Sequence, residues 1–248
     1  MLRGLFLAIV VLFTTRGLTQ KTLTALKSVQ APVIDGKLND DAWQSAPVAT
    51  DFIQNSPHYG QPATVKTEVR ILYDDNAIYI GARLSDKPSL IRQQFTTRDG
   101  EQMQNTDYFS VFFDTYNDQQ NGFQFLVTPV NVQSDAKLTA SADVSYGSYG
   151  DRSWDAVWQS KTSITADGWL VEMRIPYLSL RFSPGNEQTW GLQFLRYVRR
   201  ENELSFWNPV NPVENGFINQ FGKLTHLDSI QPPLRLSLSP YLSGGVRY

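Results

Sequence analysis

The chain has 248 residues, 41% of them hydrophobic and 19% charged, enough for one large domain and too apolar for a disordered tail. With 22 Lys plus Arg against 24 Asp plus Glu, it lacks the basic excess of a phosphate-neutralising nucleic-acid binder. It has no cysteine and only two histidines, His58 and His226, which excludes disulfides, thiol chemistry, Cys-ligated zinc, iron–sulfur clusters and a His-rich metal site.

In chain order, the first element is a leader. Arg3 precedes a nine-residue apolar run, Leu5 to Phe13, and polar Thr14, Thr15 and Arg16 follow. This is the pattern of a secretory signal peptide over residues 1–20, and the run is too short to span a bilayer. An exported, mildly acidic protein is expected, in the periplasm or the outer membrane. A short helix is expected from Asn39-Asp40-Asp41-Ala42-Trp43, with Trp43 as a plug over one end of the fold.

Strands follow from alternating, β-branched and aromatic segments: Thr67 to Tyr73, Ala77 to Leu84, Tyr108 to Asp114, Phe123 to Thr128, Val157 to Thr165, Trp169 to Ile175 and Trp190 to Val198. Asp74-Asp75-Asn76 and Ala166-Asp167-Gly168 are hairpin turns between the strands they separate. In the second hairpin Trp169, Val171, Met173 and Ile175 share the packed face, and Glu172 and Arg174 the wet one. Pro176 to Leu180 reads as a proline-initiated turn, and Ser141 to Asp151 as a surface loop. The architecture that fits is all-β, an antiparallel two-sheet β-sandwich over residues 21–230. After Gln231-Pro232-Pro233, Leu234, Leu236 and Leu238 alternate with Arg235, Ser237 and Ser239. Residues 231–248 therefore read as a linker and the first strand of a truncated outer-membrane barrel, or as an extra sandwich strand.

Several blocks resemble the family 9 carbohydrate-binding domains in their order along the chain. Ile34-Asp35-Gly36 followed by Trp43 is similar to the family's opening, and Arg70 to Ile80 to its first long hairpin. Asp107 to Asp114 looks like the next strand, Gly168 to Pro176 resembles its Glu-x-x-Ile-Pro strand end, and Phe206-Trp207-Asn208 with Phe221 to Leu224 its closing strands. Trp154 to Trp158 and Trp190 to Arg196 also resemble patterns of exported proteins that carry this domain ahead of an outer-membrane barrel. The resemblance implies a jelly-roll-like sandwich that binds glycan, often with structural calcium, in chains associated with glycoside hydrolases and polysaccharide catabolism.

Sugar rings offer apolar C–H faces to an indole or phenol ring, and amides, carboxylates and guanidinium groups satisfy their hydroxyls. The resemblance, which sets Trp207 at the family's closing-strand tryptophan, implies Trp207 as the platform with Asn208 beside it; an aromatic stripe of Trp154 and Trp158, and Arg199, are the further carbohydrate-binding residues expected. Sugar-binding members clamp the ring with a second tryptophan just ahead of the strand matching Asp107 to Asp114. This chain has Gln102-Met103-Gln104-Asn105-Thr106 there. The calcium ligands expected are Asp74, Asp75 and Asp114, hard oxygens at or beside turns. No nucleophile elbow, phosphate loop or dinucleotide fingerprint is present, so a binding module is expected rather than a catalyst. The alternative is a periplasmic interaction domain of a barrel protein with no sugar ligand.

Overall fold

A computed structural model describes residues 19–100, 105–141 and 150–234. The leader Leu5 to Phe13, the stretch Gln102 to Gln104, most of the Ser141 to Asp151 segment and the alternation beyond Leu234 lie outside the described residues.

Among the described residues, fourteen strands are numbered in chain order. They are β1 (Thr22–Thr24), β2 (Leu26–Lys27), β3 (Val48–Ala49), β4 (Ile53–Ser56), β5 (Thr67–Tyr73), β6 (Ala77–Ser85) and β7 (Tyr108–Asp114); then β8 (Asn121–Val127), β9 (Gln133–Thr139), β10 (Gln159–Thr165), β11 (Gly168–Pro176), β12 (Glu187–Val198), β13 (Glu203–Phe206) and β14 (Gly222–Asp228). One sheet runs β1-β14-β12-β7-β8-β9, with β13 against β12 and β4 against β13. The other runs β10-β11-β6-β5-β2, with β3 against β5. The architecture is the two-sheet β-sandwich expected from sequence. Both expected hairpins, β5–β6 and β10–β11, pair antiparallel through their turns. The helix expected near Trp43 is α1 (Asp41–Ser45), and Tyr177–Ser179 forms the expected proline-initiated turn.

The period-two pattern buries one face of each long strand between the sheets. Val69, Ile71, Ile78, Ile80, Val111, Phe113, Trp169, Val171, Met173, Trp190 and Phe194 meet there. At about 25 cal/mol per Å² of apolar surface removed from water, this interface is the main term holding the sheets together. Arg196 ties their ends. Its buried guanidinium donates to the carbonyls of Lys66 and Ser85, at 2.9 Å each, and to Thr67 Oγ1. Burial pulls its pKa down to about 10, opposed by the nearby carboxylate of Asp86.

The outer face of the second sheet is covered around Glu172 while Arg174 is only partly buried, which corrects the reading of Glu172 as wet. Glu172 is 0% exposed, because residues 34–46 lie across that face of the second sheet. Its Oε2 accepts the backbone N–H groups of Asp35 and Gly36, and its Oε1 the indole N–H of Trp43. Trp43 lies over the face of β6 rather than over a sandwich end. A Cβ at Gly81 would stand 2.7 Å from Leu38 Cδ2 and 3.0 Å from Trp43 Cε3, so only glycine admits this approach. The Ile-Asp-Gly, Trp and Glu blocks of the sequence are therefore one hydrogen-bonded staple. The outer face of the first sheet is covered too, by a strap over residues 208–221. Val210, Phe217, Ile218 and Phe221 of the strap pack on Tyr108, Phe112 and Phe206.

At one side, a single extended segment joins both sheets. β1 lies parallel to β14, Ala25 N donates to Thr225 O, and β2 then lies parallel to β5.

Candidate functional site

The first groove, about 360 Å³, opens between the β4–β5 connection and the strap. The connection is a compact loop. Gln54 N donates to Gln61 O at its far end, Gly60 N donates to Gln54 O, and Gln54 Nε2 donates to Pro62 O. It presents Tyr59, 45% exposed, on the groove wall. The strap supplies the opposite wall, and amides fix its shape. Asn208 Oδ1 accepts from Lys21 N at 2.8 Å, and its Nδ2 donates to Gln220 O at 2.7 Å. Gln220 Oε1 accepts from Asn211 N, while its Nε2 reaches the carbonyls of Asn211 and Gly216. Asn211 Nδ2 donates to Glu214 Oε1 and Asn219 Nδ2 to Asn215 O. Gln20 Nε2 donates to Phe221 O.

After these bonds, Glu214 Oε2, Asn219 Oδ1, Gln20 Oε1 and the Tyr59 hydroxyl make no hydrogen bond among the described residues. The groove thus carries acceptor oxygens, a carboxylate, a phenol ring and the apolar edges of Pro209 and Phe221. That composition suits a polyhydroxylated ring with apolar faces.

The residues expected from sequence are distributed differently. Trp207, taken as an exposed platform, is 3% exposed and lies between the sheets, with its ring 5.6 Å from that of Phe194. Parity along β13 explains this: Phe206 points to the outer face, so Trp207 points inward. Its ring fits because Gly222 has no side chain; a Cβ there would come 2.7 Å from Trp207 Cζ3. Trp158 is also internal, edge-on to Phe125, with Nε1 donating to Asp135 Oδ1 at 3.1 Å. Trp154 is half-buried against Phe123 and Phe125. The Trp154 and Trp158 pair is therefore a packing element rather than an exposed stripe. Asp135, whose carboxyl burial pushes up, also accepts from Ala156 N and from Arg98. Asn208 lines the groove but spends its carboxamide on holding the strap. Arg199 lines a different groove, at the other end of β13.

The three acids expected as calcium ligands do not fit a shared ion. Asp74 Oδ1 accepts from Asn76 N and Ala77 N, and its Oδ2 from the Tyr79 hydroxyl. Asp75 pairs with Lys27 at 2.6 Å. Asp114 lies on the other sheet and accepts from the N–H groups of Asp118 and Gln119. Among the described residues no group of three His, Cys, Asp or Glu side chains is arranged to hold a metal ion.

Sequence reasoning passed over Tyr59, Gln20, Asn211, Glu214, Asn219 and Gln220. The signal was present: the proline-broken run 208–220 is rich in Asn and Gln and contains Glu214.

Residues 34–224 match the model of the carbohydrate family 9 binding domain-like family. The chain belongs to this family. Among curated proteins it is similar to endo-1,4-beta-xylanase C of Paenibacillus barcinonensis, 24% identical over 150 residues. That stretch is 60% of this chain and 12% of the xylanase, so the chain spans a small part of that relative. Among solved structures it is similar to a family 9 carbohydrate-binding module of Caldicellulosiruptor kristjanssonii. The complex of that module with cellotriose aligns with a TM-score of 0.56 at 20% identity, over 89% of this chain and 100% of the module. Its complex with glucose aligns with a TM-score of 0.56 at 20% identity, over 86% of this chain and 100% of the module. These likenesses bear on the family 9 fold, a two-sheet sandwich.

Proposed function

We propose that the chain is a carbohydrate-binding module whose ligand lies in the groove between Tyr59 and the strap. The carrying observation is the lining: one exposed ring beside acceptor oxygens and a carboxylate, on walls already fixed by internal hydrogen bonds. Such preorganisation means that little conformational entropy is lost on binding. A groove of about 360 Å³ is at the small end of ligand sites, so one or two sugar units and weak affinity are expected. The family, and the cellotriose and glucose bound by the Caldicellulosiruptor module, support a neutral glucan as the first ligand to try. The xylanase relative supports a role beside polysaccharide-degrading enzymes, and the leader pattern supports export to the periplasm or outer membrane.

Affinity gel retardation and calorimetry with soluble glucans, xylan and cello-oligosaccharides test this reading. Wild type is retarded, and Tyr59→Ala weakens binding about tenfold, the worth of one stacked ring. Undiminished binding by both Tyr59→Ala and Glu214→Gln would move the ligand elsewhere. No retardation by any of these saccharides would leave the second reading, a periplasmic interaction domain of an outer-membrane barrel protein, which the burial of Trp207 favours.

A further inference from the structure

We propose that a second groove, at the Arg199 end of β13, binds the carboxylate of an acidic saccharide, a uronate. It measures about 440 Å³ and shares no lining residue with the first. Arg92, Gln93 and Gln94 form one wall, Arg199 and Arg200 the other, and Asn105 also lines it. One buried acid ties the walls: Asp107 Oδ2 accepts from Arg92 N at 3.2 Å, and its Oδ1 from Arg199 N at 2.8 Å. Thr106 adds to this, its hydroxyl donating to Arg92 O and accepting from Gln94 N. Across the groove, Asn202 closes the turn in the left-handed region with φ of 49°.

The charges do not cancel. Asp86 is shared between Arg200, at 2.7 Å, and buried Arg196, at 3.5 Å, and Glu201 pairs with Arg200. Arg92 makes no side-chain hydrogen bond or ion pair among the described residues, and Arg199 donates only to the neutral Asn202 Oδ1. Two guanidinium groups therefore line the groove with no acid partner among the described residues. A guanidinium fork is matched by a carboxylate through two parallel charge-assisted bonds. Gln93 and Asn105 offer amides for hydroxyls.

Calorimetry on the full chain, with oligogalacturonate, a neutral β-1,4-galactan oligosaccharide and inorganic sulfate, decides it. Oligogalacturonate binds, and its affinity falls at least about tenfold in Arg92→Gln/Arg199→Gln, as expected for loss of charge-assisted bonds. It is unchanged in Tyr59→Ala, which separates this site from the first groove. Arg92→Gln alone, altering an exposed side chain without a described partner, gives a partial loss and secures the reading if the double variant does not fold. Binding of the galactan as tight as the uronate, full affinity in the arginine variants, loss in Tyr59→Ala instead, or sulfate binding as tightly as the uronate would each overturn the proposal.

Discussion

The indole N–H of Trp43 donates to Oε1 of Glu172 at 3.0 Å, across 129 residues of sequence, while Oε2 of the same carboxylate caps the Asp35 and Gly36 amides. A glutamine at 172 can offer one oxygen but must turn its NH2 toward one of these donors. Glu172→Gln is therefore expected to destabilise the fold by about 2 kcal/mol, the cost of a buried donor without an acceptor. Urea unfolding followed by tryptophan fluorescence checks this, with an unchanged dependence on urea expected.

Burial pushes the carboxyls of Asp107, Asp114, Asp135 and Glu172 above the ordinary carboxylate range. In that window the folded chain holds protons that the unfolded chain has released. Their contribution to stability is therefore fully present below the unfolded values, about 4, and lost as pH rises through the folded ones. Asp151 and Asp167, held below the usual value by hydrogen bonds from Ser153 and Thr165, act in the opposite sense and in a lower window. Urea melts at pH values rising from about 4 should show falling stability, with a shallower slope in Glu172→Gln.

Trp207 is a core residue, so its removal should be read first in stability. Trp207→Ala is expected to cost about 3–5 kcal/mol, and Gly222→Ala, which drives a methyl into the same ring, about 1–3 kcal/mol. Trp207→Phe keeps most of the packing and should retain saccharide binding at the wild-type level. A folded Trp207→Phe that no longer binds saccharide would return the ligand to this position.

Asp135→Ala removes the acceptor of Ala156 N, Trp158 Nε1 and Arg98 together. A loss of about 3 kcal/mol is expected, at the low end for a broken internal ion pair because Arg98 reaches solvent. The near-ultraviolet circular dichroism of Trp154 and Trp158 should weaken with it. An unchanged spectrum would mean that packing on Phe125 alone fixes these rings.

The long strands were legible because alternation with β-branched and aromatic residues has one physical meaning. Thr67–Tyr73 and Tyr108–Asp114 agree with expectation residue for residue. β9 was missed because its buried positions include Ser134 and Asp135, polar residues that hydrogen bonds rather than burial preference place inside. β1 to β4 are two to four residues long, too short for a period to show. Alternation also tells which side chains share a face, not what covers that face, and so Glu172 was read as wet. Trp207 was misplaced because Pro209 and Pro212 marked a strand end, where exposure is common; the missing side chain at Gly222, which admits the ring, is distant in sequence. Asn208 and Arg199 do line grooves, whereas Tyr59 sits in a short Pro-His-Tyr-Gly loop with no periodic signal.

The pairing of β1 with β14 sets a schedule for assembly. Thr22 finds its partner only at Lys223, about two hundred residues later, so β1 is held open until nearly the whole domain has been made. The clasp that closes the sandwich cannot form during synthesis of the body. A chain with this wiring carries its first described strand unpaired until its far end has been made.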